Sequence, residues 1–297
     1  EAARLSGGEF LWMPKSRLSG NDLASIQTEL EAPIYAENVV ITLKLSFGQL
    51  HCPEDADDPS TLLKRLAITL DHARHLPEHR VRYSPNFDAE YTRRISIITE
   101  LKQALHRDSP ELSLVYQPKL SLDTGSISHA EALMRWTSKT LGFVGPDEFI
   151  LVAEQAGLIG AVTDWVITRA INDTKTFVDN NVEVCVAINL SAKDILNKSL
   201  LPQIKSRIAE AGLSTTLLAF EITESDLVSD AQGVYSELGL YREAGFTLAI
   251  DDFGTGYSSL SYLKSLPVNE LKIDKSFVLN LDKNQSDQQI VKTIIDL

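Results

Sequence analysis

Polar side chains recur toward the C-terminal ends of short apolar runs across the second half of the chain. They are Glu131, Asn189, Glu221 with Glu224, Asp251 with Asp252, and Lys272 with Asp274. Carboxylates and an amide carbonyl form a hard donor set with no imidazole or thiolate, which suits Mg²⁺ or Mn²⁺ rather than zinc. The adjacent carboxylates of Asp251 and Asp252 repel each other and are costly to leave unpaired where a strand meets its loop, so a cation is the natural partner. Asp251 could bridge two ions with Asp252 completing the second, an arrangement that clamps the attacking and leaving oxygens of a phosphodiester displacement. A local reading competes: the pair would cap a helix expected over residues 257–264. None of the six histidines falls on these run ends, which argues against a histidine-based acid–base scheme.

Such scattered donors need a scaffold that brings them together. From Leu112 onward, strand-like runs at 112–120, 127–135, 183–190, 217–223, 246–252 and 268–273 alternate with helical ones at 147–156, 159–177, 192–211, 230–244 and 286 to the end. That alternation predicts an α/β fold, a TIM-type (β/α) barrel. Its first strand should run antiparallel to the second, because only the turn Asp123-Thr124-Gly125 separates them. The run Leu248 to Ile250 has no helical period and ends in Asp251-Asp252-Phe253-Gly254-Thr255-Gly256, as expected of a covered parallel strand opening into a glycine-rich turn. In a barrel the C-terminal strand ends share one face, so every donor above would line one mouth. Eight strands close such a barrel and six are expected here, so the last two should lie outside this segment.

Composition narrows the ligand. With 43% apolar residues in 297, the chain can pack sizeable cores. A formal charge of −13 excludes a basic groove for a nucleic-acid polymer. An anionic ligand would therefore depend on metal ions or isolated Arg and Lys. Cys52 and Cys185 are expected to be two buried thiols in a reducing compartment. No run has the length to span a bilayer, and Glu1-Ala2-Ala3-Arg4 lacks a signal-sequence pattern and reads as an internal cut. A cytoplasmic location is expected, with a tether through some upstream region left open.

The first 85 residues read as part of a separate α/β domain. Gly7-Gly8 permits a tight reversal before a short strand through Met13, a helix is expected from about Asn21 to Glu31, and Val39 to Leu50 is strand-like. An acidic loop over 53–59 precedes a helix over 60–75 with Ser60 placed to cap it. Residues 86–108 form a connector in which Tyr91, Ile95, Ile98, Leu101 and Leu105 recur at steps of three and four, one face of an amphipathic helix. The domains expected are thus 1–85, a linker helix at 86–108, and 109–297.

Several motifs carry a resemblance. Tyr116-Gln117-Pro118, Glu131-Ala132-Leu133-Met134-Arg135-Trp136, Glu148-Phe149-Ile150, Asn189-Leu190-Ser191-Ala192, Glu221-Ile222-Thr223-Glu224-Ser225, the Asp251 to Leu260 stretch and Lys272-Ile273-Asp274 resemble, in order and spacing, the EAL phosphodiesterase family. That family hydrolyses cyclic di-GMP to the linear dinucleotide pGpG. The resemblance implies that Glu131, Asn189, Glu221 and Asp251 hold one Mg²⁺ or Mn²⁺ ion while Asp251 and Asp252 reach a second. It implies that Lys272 orients the attacking water or offsets phosphate charge, and that Arg135 pairs with a phosphate. Gln117, Leu133 and Asp274 would help seat the ligand, and Glu224 would brace the loop from Asp252 to Tyr257. A further essential glutamate of the family falls beyond Leu297. A catalytically silent cyclic di-GMP receptor that signals to a partner is the alternative, and a homodimer is a family habit.

Arg4-Leu5-Ser6-Gly7-Gly8-Glu9-Phe10 and the elements after it resemble the second half of a GGDEF domain, in degenerate form. Gly8 stands where that family has a metal-binding acid, and Ser6 replaces its first glycine. A two-metal transfer does not readily lose such a ligand, so the resemblance implies an inactive, regulatory GGDEF-like domain. Trp136 and Phe149 are expected in the core rather than stacked on a base.

Overall fold

The chain separates into two units, Glu1–Ser96 and Ile97–Leu297. The division falls inside a helix. The computed structural model describes residues 1–36, 39–106, 109–229, 231–254 and 266–296.

In the first unit, β1 (Ala2–Ser6) and β2 (Glu9–Trp12) form an antiparallel hairpin. Gly7 turns it with φ +48°, a value that costs glycine nothing. Helix α1 (Gly20–Leu30) starts in a capping box in which Ser19 and Asp22 exchange side-chain and backbone hydrogen bonds. The strand expected over 39–50 is two strands with different partners. β3 (Ile34–Ala36) pairs antiparallel with β4 (Val39–Ile41), whereas β5 (Phe47–Gln49) pairs parallel with the later β6 (Arg80–Arg82). Between β5 and β6 runs α2 (Pro59–His75), capped by Asp58 and not by Ser60. The Asp58 carboxylate accepts from Ser60 N and Thr61 N at 2.9 and 3.0 Å, and Pro59 at the first helical position lacks a donor that would need a partner. Both cysteines are free, but Cys52 is exposed and only Cys185 is buried.

Helix α3 (Asn86–His106) spans the division. Its buried residues are Ile97, Leu101 and Ala104, with Ile98 and Leu105 packed beside them in the second unit's core. Tyr91 and Ile95, expected on the same face, are exposed. Glu100 on this helix accepts hydrogen bonds from the hydroxyls of Ser138 and Thr140.

The second unit is built on one sheet. Its strands are β7 (Leu112–Leu120), β8 (Ile127–Ser138), β9 (Gly142–Val144), β10 (Cys185–Asn189), β11 (Leu218–Thr223), β12 (Thr247–Phe253) and β13 (Glu270–Ile273). Their order is β13-β12-β11-β10-β8-β7, with the unforeseen β9 extending β8 as a hairpin. β7 runs antiparallel to β8, as the short turn predicts, and the remaining neighbours are parallel. Among the described residues β7 and β13 are the two edges, and the sheet does not close. It is nevertheless strongly curled. Lys119 on β7 reaches Glu221 on β11 at 2.5 Å, although three strand steps along a flat sheet would separate those strands by roughly 14 Å.

Among the described residues the unit's helices are α4 (Pro146–Gln155), α5 (Ile159–Asp179), α6 (Ala192–Leu196), α7 (Leu200–Ala211), α8 (Glu224–Ser229), α9 (Ala231–Glu243), α10 (Lys275–Leu279) and α11 (Gln285–Ile295). The single helix expected over 192–211 is broken because Asn197 leaves helical geometry and its side chain accepts from Ser199 N and Ser199 Oγ, a local bond that competes with the helical ladder. Trp136 and Phe149 are fully buried and meet edge to face at 5.9 Å, so both are core residues. The helix expected over 257–264 lies outside the described residues.

Candidate metal centre

Strand alternation decides which side chains face the concave side of the sheet. On β8, Ala132, Met134 and Trp136 are buried in the core under the helices, while Glu131, Leu133 and Arg135 take the opposite face. Register carries that face across the sheet: Gln117 lies opposite Glu131, Ala187 opposite Glu131 on the other side, and Asn189 opposite Glu221. Asp251 sits two positions after Ala249, the partner of Glu221, and Lys272 two positions after Glu270, the partner of Ala249.

Three carboxylates from three strands meet there. Ligand atoms of Glu131, Glu221 and Asp251 all lie within 4.8 Å of one another. The Lys272 ammonium donates to Glu131 Oε2 at 3.0 Å, to Asp251 Oδ2 at 2.7 Å and to Glu221 Oε2. Each carboxylate keeps its second oxygen for another donor. Asn189 Nδ2 donates to Glu131 Oε1 at 2.9 Å, Lys119 Nζ to Glu221 Oε1 at 2.5 Å, and the Asp252 backbone N–H to Asp251 Oδ1 at 2.9 Å. Glu221 is wholly buried, so its charge depends on these partners. Burial by itself would lower the Lys272 pKa, but hydrogen bonds to Asp251, Glu221 and Glu131 and the Glu221 charge outweigh it and raise the pKa, holding the ammonium protonated.

The other expected site residues divide. Asp252 follows Asp251 with φ +53°, where the β12–β13 register shifts between Ile250 and Phe253. It does not join the carboxylate group. Its side chain hydrogen-bonds Asp274, and partial desolvation, the neighbouring Asp251 charge and that bond raise its pKa. Asp274 caps α10, accepting from Ser276 N at 2.8 Å. The Ser276 hydroxyl and backbone, together with Asp252, hold the Asp274 pKa below the usual carboxylate range. Arg135 donates to the Met134 carbonyl oxygen at 2.9 Å and makes no ion pair among the described residues. Gln117 is exposed and Leu133 half-buried on the Glu131 face.

Glu224, almost wholly buried at the start of α8, accepts from Gly254 N at 2.8 Å. Thr223 and Asp226 cap that helix reciprocally and place Glu224 at its N-terminus. Gly254 has φ +103°, and a Cβ there would meet the Phe277 ring at 2.8 Å. The loop of which Glu224 is the expected brace continues past Gly254 outside the described residues. Lys119 escaped the sequence reading. Its signal was the two-residue spacing from Gln117, which puts both on one face of β7.

Comparisons with known proteins place the chain in a family. The chain is 33% identical over 300 residues to cyclic di-GMP phosphodiesterase NbdA of Pseudomonas aeruginosa, covering 99% of this chain and 38% of that protein. It is 35% identical over 268 residues to cyclic di-GMP phosphodiesterase PA2567 of the same organism, covering 90% and 46%. The chain thus spans less than half the length of these curated relatives. Among solved structures, the PaMucR phosphodiesterase in complex with c-di-GMP is 36% identical, covers 68% of this chain and 81% of that one, and superposes with a TM-score of 0.63. The EAL domain model matches residues 98–297, most of the chain and the whole of the curled sheet that carries the carboxylates, and the chain therefore belongs to the EAL domain family.

Proposed function

We propose that this chain carries the catalytic unit of a metal-dependent phosphodiesterase that hydrolyses cyclic di-GMP to linear pGpG. The observation that carries the reading is the convergence of Glu131, Glu221 and Asp251 from three separate strands onto one point, with ligand atoms within 4.8 Å. The donor chemistry fits a divalent ion: three carboxylates and an amide, all hard oxygen donors. Glu131, Asn189, Glu221 and Asp251 would hold one Mg²⁺ or Mn²⁺, and Asp251 with Asp252 a second. Bound there, such ions would supply acidification of the attacking water and offset charge on the departing ribose oxygen.

The chain's own groups do the rest. Lys272, kept protonated, orients the water or offsets phosphate charge. Arg135, with no carboxylate partner among the described residues, pairs with a phosphate oxygen, for which its planar fork is suited. Gln117, Leu133 and Asp274 seat the ligand, and Glu224 braces the turn at Gly254. The substrate is inferred from the relatives' names and from the c-di-GMP complex of the structural relative. The first unit is read as an inactive, regulatory GGDEF-like domain because Gly8 stands at the position of a ligating acid.

Incubation of the protein with cyclic di-GMP and Mg²⁺ or Mn²⁺ should release pGpG, measured by chromatography. Binding without turnover would replace the enzyme by a receptor. GTP in place of cyclic di-GMP should give no product, and dinucleotide synthesis would overturn the reading of Gly8.

A further inference from the structure

The three carboxylates share one design. Each turns a single oxygen toward the Lys272 ammonium and has its other oxygen held from outside: Glu131 by Asn189, Asp251 by the Asp252 backbone N–H, Glu221 by Lys119. Asn189 is itself an expected ligand and the Asp252 N–H is part of the backbone, so Lys119 is the side chain whose contact in this group serves only to hold a carboxylate.

Its route there is built into the sheet. Lys119 lies on the concave face of β7, in register with His129 and, one strand further, Cys185. Beyond His129 on β8, the strands β10 and β11 present small buried side chains on that face, Cys185, Ala187 and Ala219, and Ala249 lies beside Glu221 on the next strand. A long lysyl stem can cross over such residues to the wholly buried Glu221 carboxylate. Lys119 is close enough to Cys185 to oppose the burial that pushes that thiol up to about 11.

We propose that Lys119 is a positioning residue that holds Glu221 to a single ion-facing oxygen and thereby sets the site's preference for small octahedral ions over Ca²⁺. The inference rests on the metal-site reading above. Mg²⁺ demands near-ideal octahedral geometry with few carboxylates, whereas Ca²⁺ accepts bidentate carboxylates and more ligands. A Glu221 released from Lys119 can offer both oxygens and so favours the larger ion. The charge of Lys119 does not distinguish Mn²⁺ from Ca²⁺, so a purely electrostatic or folding role would change both affinities together and leave their ratio unaltered.

The test is calorimetric titration of MnCl₂ and of CaCl₂ into the 297-residue protein without nucleotide, comparing the ratio of the two affinities. Lys119→Met should shift that ratio toward Ca²⁺ by about tenfold, within the range typical of outer-shell partners, and Lys119→Arg should return it to the wild-type value. Should Lys119→Met fail to fold by circular dichroism, Lys119→Gln is read the same way. Mn²⁺ binding with an unchanged ratio in the uncharged variant overturns the role of Lys119 and leaves the metal site standing. Absence of Mn²⁺ binding in the wild-type protein overturns both.

Discussion

Glu224 shows how one side chain links an element to the site without joining the carboxylate group. Buried at the first position of α8, it holds the Gly254 N–H at 2.8 Å, immediately after the strand that delivers Asp251. Glu224→Ala leaves that N–H without its acceptor and should cost about 1–3 kcal/mol in chemical denaturation. The same variant should weaken turnover more than ligand binding, because Asp251 and Asp252 sit just before the unbraced turn. Unchanged stability would show that the bond contributes nothing. Glu221, Asp251 and Lys272 were legible because polar residues fell late in successive apolar runs, whereas Glu131 lies in the first half of β8 rather than toward its end. Lys119 was not, because a lysine near the end of an edge strand looks like an ordinary solvated charge until the sheet's curl carries it to Glu221. Asp252 was legible as a carboxylate, but its left-handed backbone and its bond to Asp274 arise from a register shift that no residue pattern announces.

Elements were legible where the pattern was long and failed where a short side-chain bond intervened. The strands carrying Glu131, Asn189, Glu221, Asp251 and Lys272 lie where the apolar runs predict them. The helix over 192–211 is instead split by Asn197, and the strand over 39–50 is split because its halves pair with different partners. The α2 cap was misplaced by two residues, and its true occupant has a consequence in acid. Hydrogen bonds from Thr61 and Ser60 hold the Asp58 pKa below its ordinary value of 3.8. A carboxyl with a depressed folded-state pKa contributes stability that is present above the unfolded value and is lost as pH falls through the folded one. Helical circular dichroism of the first unit should therefore fade as pH drops below about 3.8. Asp58→Asn, which keeps an acceptor at the cap but not the charge, should make that acid loss shallower. An identical acid profile in the variant would remove Asp58 from the explanation.

Across the whole molecule, a curled sheet does what a linear sequence cannot, drawing residues 119, 131, 221, 251 and 272 to one point. Alternating strand and helix patterns made that architecture legible in outline, and the antiparallel first strand followed from a short turn. What the pattern could not supply was the edge-to-centre reach of Lys119, which depends on how tightly the sheet curls. The division within α3 was equally hidden: Ile98, Leu101 and Leu105 of the periodic face pack into the core beside Ile97 and Ala104, while Tyr91 and Ile95 of the same face stay exposed. No described helix is long and apolar enough to cross a membrane. The central claim, that Glu131, Glu221 and Asp251 jointly capture a divalent ion, is tested most directly by titrating Mn²⁺ and following the loss of its free electron paramagnetic resonance signal. Saturable binding to the wild-type protein should weaken by more than about 100-fold in Glu131→Ala, beyond what loss of an outer-shell partner produces. Equal Mn²⁺ binding by the wild-type protein and Glu131→Ala would contradict the account.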